Sequence, residues 1–274
     1  MLLLLVACAK QEPVATPECP TDDSQVWVIS QLKFSRESET VEGESAGFNL
    51  DGDVTSDGGA TGCGIADFVD PDGTQGIDNQ FARVLPVLET TEAQALEALI
   101  QAAVDDGSLL ITLEEENPED PECLDFAMGR ATGTPSLGTD GTIEWYQTLL
   151  PGDTALRSQA DDVSTGDGRL VATGLTASLP LVVLGHELQV TVLDGSLRFD
   201  VADDGSVHGY LGGGLDREEL MSIATTENID SSVAELLESL LDYNVDLAPD
   251  DAGDCQQLSI TLEFTGVPVF LFEG

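Results

Sequence analysis

Between Gln25 and Ser35 apolar and polar positions alternate. Val26, Val28, Leu32 and Phe34 share one face, the signature of a half-buried strand. A second short strand is expected at Phe48 to Leu50, running into an Asp51-Gly52 turn. The period then changes. Asp78 or Asn79 can cap a helix by offering a short side-chain acceptor to its free N–H groups, and Pro86 breaks or kinks that helix. A clearer helix follows, in which Thr91 and Gln94 have capping-box spacing and Leu96, Leu99, Ile100, Ala103 and Val104 form one apolar face up to Asp106-Gly107.

Strand signals dominate the rest of the chain. Leu109 to Leu113 reads as a strand, with others around Phe126 to Arg130, Ile143 to Leu149 and Leu170 to Thr173. From 179 to 211 the pattern predicts a meander. Leu179 to Leu184 is apolar, His186 to Val192 alternates, Asp194-Gly195 is a hairpin turn, Leu197 to Val201 alternates again, and Asp203-Asp204-Gly205 turns into Val207 to Leu211. Two helices are expected next, since Asp216 with Glu219 and Ser232 with Glu235 have capping-box spacing. The second helix has Val233, Leu236, Leu237, Leu240 and Leu241 as its apolar face. Ile260, Leu262 and Phe264 then alternate, and Val267 to Phe272 is an apolar last strand that belongs inside a sheet. The segments LLITLEE and LSITLEF give the two halves a faint common rhythm. Together these elements predict a β-rich α+β fold, an antiparallel β-sandwich-like domain with inserted helices over residues 25–274.

Charge narrows the partners. Fifty-two Asp and Glu face nine Lys and Arg, a net charge of −43, and the two lysines are Lys10 and Lys33. Such a field repels nucleic-acid phosphates and anionic headgroups, so no nucleic-acid partner is expected. The excess acid has two readings. One is solvation of the surface, and the other is the gathering of divalent cations, whose binding would relieve local repulsion and stabilise the fold.

The N-terminus gives the address. Met1 to Ala7 is a short apolar run, and Leu5-Val6-Ala7-Cys8 resembles the bacterial lipobox, with Cys8 as the lipidated residue. Residues 1–7 lack a basic n-region and fall far short of the roughly 20 residues that span a bilayer. The expectation is a signal peptide that begins upstream. Residues 8–24, with Pro13, Pro17 and Pro20, read as a tether, and Ala9 after the lipidated cysteine points to the outer membrane. Cys19, Cys63, Cys123 and Cys255 remain, which suggests two disulfides in an exported chain, with free buried thiols as the alternative. Cys63 with Cys255 is the favoured pair, because each lies beside a loop rich in Gly and Asp next to a structured element.

The candidate site is the acidic stretch CGIADFVDPDGTQGIDNQ, from Cys63 to Gln80. Asp67, Asp70, Asp72 and Asp78 surround a Pro71-Asp72-Gly73 turn, the carbonyl- and carboxylate-rich setting that Ca²⁺ favours. An EF-hand register fails, placing Phe68 first and Asn79 twelfth, so any calcium site there is of another kind. The plainer reading is turn chemistry, since the chain contains eight Asp-Gly pairs. If Cys63 pairs with Cys255, Asp250, Asp251 and Asp254 are drawn toward the same loop. No nucleophile elbow, zinc-protease, phosphate-loop or dinucleotide motif is present. His186 and His208 both fall in expected strands, and no catalytic residue is assigned.

At GFNLDGDV, at Cys63 to Gln80 and at GDCQQLSITLEF, the chain resembles uncharacterised envelope lipoproteins of myxobacteria-like proteobacteria. The likeness includes a lipobox, the Gly76 to Gln80 block and a cysteine near the C-terminus. It implies an exported, membrane-anchored protein and transfers no catalytic residues. The sequence therefore points to a lipid-anchored cell-envelope binding or structural protein, calcium-stabilised at the acidic loop, with a protein or polysaccharide partner. A secreted glycan hydrolase working through paired carboxylates is the alternative.

Overall fold

The alternating segment at the start of the domain becomes the middle of a sheet. The structure is a computed structural model that describes Cys19 and residues 24–90, 96–166, 168–183, 186–226 and 231–272. Its elements begin with β1 (Ser24–Phe34), β2 (Phe68–Val69), β3 (Gln75–Ile77), α1 (Phe81–Leu88), α2 (Leu96–Asp106), β4 (Leu110–Glu116) and β5 (Asp125–Thr132). Next come β6 (Thr148–Pro151), β7 (Ser158–Gln159), β8 (Asp162–Gly166), β9 (Arg169–Val183), β10 (His186–Val201) and β11 (Val207–Asp216). The chain closes with α3 (Arg217–Thr226), α4 (Ser231–Asn244), β12 (Leu247–Pro249), β13 (Cys255–Pro268) and β14 (Phe270–Leu271).

The large sheet runs β14-β6-β5-β4-β1-β13-β11-β10-β9-β8, with β12 added to β13 and β7 to β5. Its pairings are antiparallel except that of β14 with β6. This is the β-rich, sandwich-like α+β architecture that the pattern predicts. The similar segments LLITLEE and LSITLEF flank β1, in β4 and β13. The sheet curls until β5 nears β9: Ala160 N–H donates to Phe126 O (2.9 Å) and Asp161 N–H to Thr173 O (2.8 Å).

Curling makes the interior. Phe199 lies at its centre, 5.4 Å from the Trp27 ring, 6.0 Å from Phe126 and 6.5 Å from Phe264, edge-on or tilted as aromatic quadrupoles prefer. One continuous apolar core extends from Trp27 to Val269. The predicted face of α2 lies against this core, with Ile100, Ala103 and Val104 buried.

Several local readings change. Asp194-Gly195 is no turn but a bulge inside the continuous β10, with register shifts against both β9 and β11. Asp194 takes a left-handed φ of 49°, and long partners on both sides keep the strand from reversing. Likewise Leu170 to Thr173 and Leu179 onward are one strand, β9. Phe48 to Leu50 makes a single bridge, Phe48 with Asp78, and Ile143 makes one with Leu137 before β6 begins. The last strand splits. β13 is internal, whereas β14 pairs at the sheet edge with Phe270 and Phe272 exposed. Asp216 does accept from Glu219 N–H (2.8 Å) at the start of α3. α4 begins at Ser231, so Ser232 is already helical, and the Thr91–Gln94 pair lies outside the described residues.

Candidate functional site

The acidic stretch folds as a hairpin of β2 and β3. Its turn is tight: Gly73 N–H donates to Asp70 O (2.7 Å) and Asp70 N–H to Thr74 O (2.8 Å), with Gly73 at a φ of 94°. The Asp72 carboxylate accepts from Thr74 N–H (2.9 Å), and bonds from Thr74 hold it below its ordinary pKa. Asp72 is therefore turn chemistry.

The other three acids serve different neighbours. Asp67 accepts from Thr55 N–H (2.5 Å), and partial burial raises its pKa. Asp70 is buried, accepts from Gly47 N–H (3.2 Å) and lies 2.5 Å from the Arg198 guanidinium. Asp78 is buried and accepts from Leu50 N–H (2.6 Å) and Asp51 N–H (3.3 Å). Burial pushes its pKa to about 8, aided by the charges of Asp246, Asp51 and Asp67. Neither Asp78 nor Asn79 caps α1. Asn79 bonds Ser45 Oγ (2.8 Å), Ser35 O (3.4 Å) and Thr261 N–H (3.0 Å), and Gln80 holds the cap position. Both side chains are spent on other strands and loops, where they pin the hairpin to β13. Among the described residues, no three or more His, Cys, Asp and Glu are arranged to hold a metal ion.

Two disulfides are present, of which Cys63–Cys255 fixes the start of this region. Cys63 pairs with Cys255 (Cα–Cα 6.1 Å) and Cys19 with Cys123 (5.4 Å). The Asp250 carboxylate turns into its own loop, accepting from Ala252 N–H (2.8 Å) and Asp254 N–H (3.0 Å). The acid that does approach the hairpin is Asp246, which the sequence reading missed. It is buried beneath β13, accepting from Ser259 N–H (2.8 Å) and Ser259 Oγ–H (2.6 Å), and burial raises its pKa to about 7.

The groups that converge lie on the outer face of the sheet. Register sets Arg198 opposite Tyr210, Tyr210 opposite Glu263 and Glu263 opposite Lys33, one row across β10, β11, β13 and β1. The adjacent row pairs Arg169 with Asp200 and Asp200 with His208. Arg198 stands 5.1 Å from the rings of both Phe48 and Tyr210, a doubly stacked guanidinium with Asp70 as counter-ion. Phe48 can lie there because β11 has Gly212 beneath it; a Cβ at 212 would meet Phe48 Cδ2 at 2.5 Å. Arg169 binds Asp200 (2.9 Å) and holds its pKa low. Glu263 takes both Lys33 and His208 at 3.0 Å. Burial pushes its pKa up, but those two bonds outweigh it and hold the carboxyl below its ordinary value.

The result is a cleft of about 330 Å³ lined by Asp70, Arg169, Arg198, Asp200, His208 and Tyr210. It adjoins a groove of about 420 Å³ that shares Tyr210 and Pro71 and reaches Lys33 and Arg36. Four of the nine Lys and Arg side chains thus meet along one surface. The signal was present in the sequence as the outward positions of alternating strands, but rows across four strands need register, which alternation alone does not supply.

No known protein family, curated protein or solved structure matches this chain.

Proposed function

We propose that this chain is an envelope protein, lipid-anchored at Cys8, that binds a neutral saccharide in the Arg198 cleft. The observation that carries the reading is charge balance: every cation facing the cleft already has a carboxylate at hydrogen-bond distance. An anion entering would have to displace one of those carboxylates against a net charge of −43. A neutral, hydroxyl-rich ligand instead meets a dense set of donors and acceptors beside an aromatic ring, the mix on which sugar hydroxyls and C–H faces both find partners. Binding is favoured over hydrolysis because the cleft carboxylates Asp70 and Asp200 are each bound by an arginine, which favours their charged form, whereas a glycosidase acid must carry a proton. No helix among the described residues is long and apolar enough to cross a membrane; the attachment proposed rests on the lipobox-like run Leu5 to Cys8.

Titration calorimetry of the oxidised protein with neutral glucan and N-acetylglucosamine oligomers tests this. Saturable binding that is abolished by Arg169→Ala at unchanged melting temperature is expected. Heats that never saturate with any neutral oligomer would remove the proposal.

Calcium at the acidic hairpin is the second reading. It is favoured by the mutual repulsion of Asp67, Asp78, Asp51 and Asp246, which a divalent ion would relieve. Melting curves in Ca²⁺, Mg²⁺ and EDTA at constant ionic strength decide it: a rise of several degrees with Ca²⁺ alone supports the ion, and superimposed curves reject it.

A further inference from the structure

Four aromatic side chains gather on the surface at the edge of the sheet. Trp145 is 39% exposed, Tyr146 57%, Phe270 56% and Phe272 64%, with Leu150 beside them at 53%. The backbone holds the group together: Tyr146 N–H donates to Pro268 O (2.7 Å), Phe270 N–H to Gln147 O (2.9 Å) and Phe272 N–H to Leu149 O (3.1 Å). The rings of Trp145 and Tyr146 are 6.4 Å apart, and those of Tyr146 and Phe270 6.2 Å. A chain that is only 5% aromatic has placed these rings where about half of their surface stays in water.

Their position in the topology says what covers them. Val269 N–H donates to Val26 O (2.9 Å), so the patch borders the first residues of β1, where the chain enters the domain. Just upstream, Cys19 is fastened to Cys123. Ten residues separate Cys8 from Cys19, a reach of at most about 40 Å. A globule of this size has a radius of gyration of about 18 Å, so a tether at Cys8 puts this end of the domain within reach of the lipid. Trp, Tyr and Phe are the side chains that settle at a bilayer interface.

We infer that the Trp145/Tyr146/Phe270/Phe272 patch lies on the bilayer surface and orients the tethered domain. The inference rests on the lipid-anchor reading of Cys8. Exposed Glu144 and the Asp203-Asp204 turn flank the patch, so the surface it meets is zwitterionic. The turn that flanks the patch closes the β10–β11 pair three residues from Asp200 and His208 of the cleft, so the ligand site opens near the bilayer surface.

The two tryptophans supply the test, because Trp27 is 2% exposed. With both disulfides closed, Cys8 is the remaining thiol of five cysteines. The full chain is coupled through Cys8 to a maleimide lipid in phosphatidylcholine vesicles, with plain or brominated acyl chains. Brominated vesicles should quench emission of the unmodified sequence about two-fold and leave Trp145→Phe unquenched. Tyr146→Ser with Phe270→Ser should restore the emission of Trp145 at an unchanged melting temperature. Equal emission in plain and brominated vesicles would overturn the inference. Because the coupling is chemical, this result is independent of whether cells lipidate Cys8, which the mass of the protein extracted from membranes reports separately.

Discussion

Replacing Asp246 by Asn should stabilise the protein at pH 8 and flatten its stability between pH 5 and pH 8. Asp246 is buried among β13 and the acidic hairpin, and burial, which outweighs the bonds from Ser259, raises its pKa to about 7 from 3.8. Between those two values the folded chain holds a proton that the unfolded chain has released. Stability therefore falls as pH rises toward 7 and levels off above it, the reverse of a salt-bridged Asp. At about 1.4 kcal/mol per pH unit, the step from pH 5 to pH 7 is roughly 2–3 kcal/mol, or about 5–10 °C in Tm for a domain of this size. Asp78, with its pKa near 8, adds to the same slope. Asn keeps the volume and an acceptor for Ser259 N–H. It loses the acceptor for Ser259 Oγ–H, whose oxygen already accepts from Gln80 N–H (2.7 Å), at about 1 kcal/mol. The full penalty above pH 7 is roughly 4 kcal/mol, so a net gain of roughly 2–3 kcal/mol at pH 8 remains, shrinking toward zero near pH 5. Urea unfolding of both proteins at four pH values and constant ionic strength measures it. Surface acids contribute alike to both curves, so parallel pH profiles would refute the reasoning.

Three further outcomes follow from the same geometry. Arg198→Met keeps the packing between Phe48 and Tyr210 but strands buried Asp70. It should cost about 3–5 kcal/mol in urea unfolding, with a large part recovered when Asp70→Asn is added. Cys63→Ser with Cys255→Ser opens a link across 192 residues and should lose about 2–5 kcal/mol in urea unfolding, and reducing agent should cost the unmodified protein more, because it opens Cys19–Cys123 as well. Gly212→Ala drives a Cβ into Phe48. It should cost about 1–3 kcal/mol by calorimetric melting and weaken saccharide binding, because Phe48 is one of the two rings that hold Arg198.

Alternation and capping made most of the sheet readable, because β1, β4, β5, β11 and β13 each show their period locally. The Asp194-Gly195 reading failed for a physical reason. The same dipeptide supplies the left-handed residue of a hairpin turn or of a bulge, and the choice is made by how far the partner strands continue, which is information held in β9 and β11. Asp78 and Asn79 looked like helix caps for a similar reason: a short polar side chain beside a helix is equally suited to bind N–H groups from another segment, and here Leu50 and Thr261 lie closer. Asp70 was visible as an acid but not as the partner of Arg198, which is 128 residues away. Asp246 gave no local signal, because its role depends on Ser259 in a strand reached only after another loop.

The same long-range pairing explains where so acidic a chain puts its few cations. With 52 acids, any two carboxylates that register forces together raise each other's cost, and nine bases cannot relieve them all. Strand register brings Glu263 against Tyr210 and Asp200 against His208 on the outer face, while the hairpin lowers Asp70 onto the same surface. Lys33, Arg169 and Arg198 stand at these points. Elsewhere many acids lie in exposed turns, where water and salt screen them, and buried Asp78 and Asp246 are held by hydrogen bonds instead. The cleft is thus the region where the fold, in order to hold its own buried carboxylate, had to assemble donors, acceptors and aromatic rings at fixed spacing. A surface built to neutralise itself is also one on which a neutral polar ligand would meet little net field and many partners, so the residues that stability requires are the ones the proposed recognition would use.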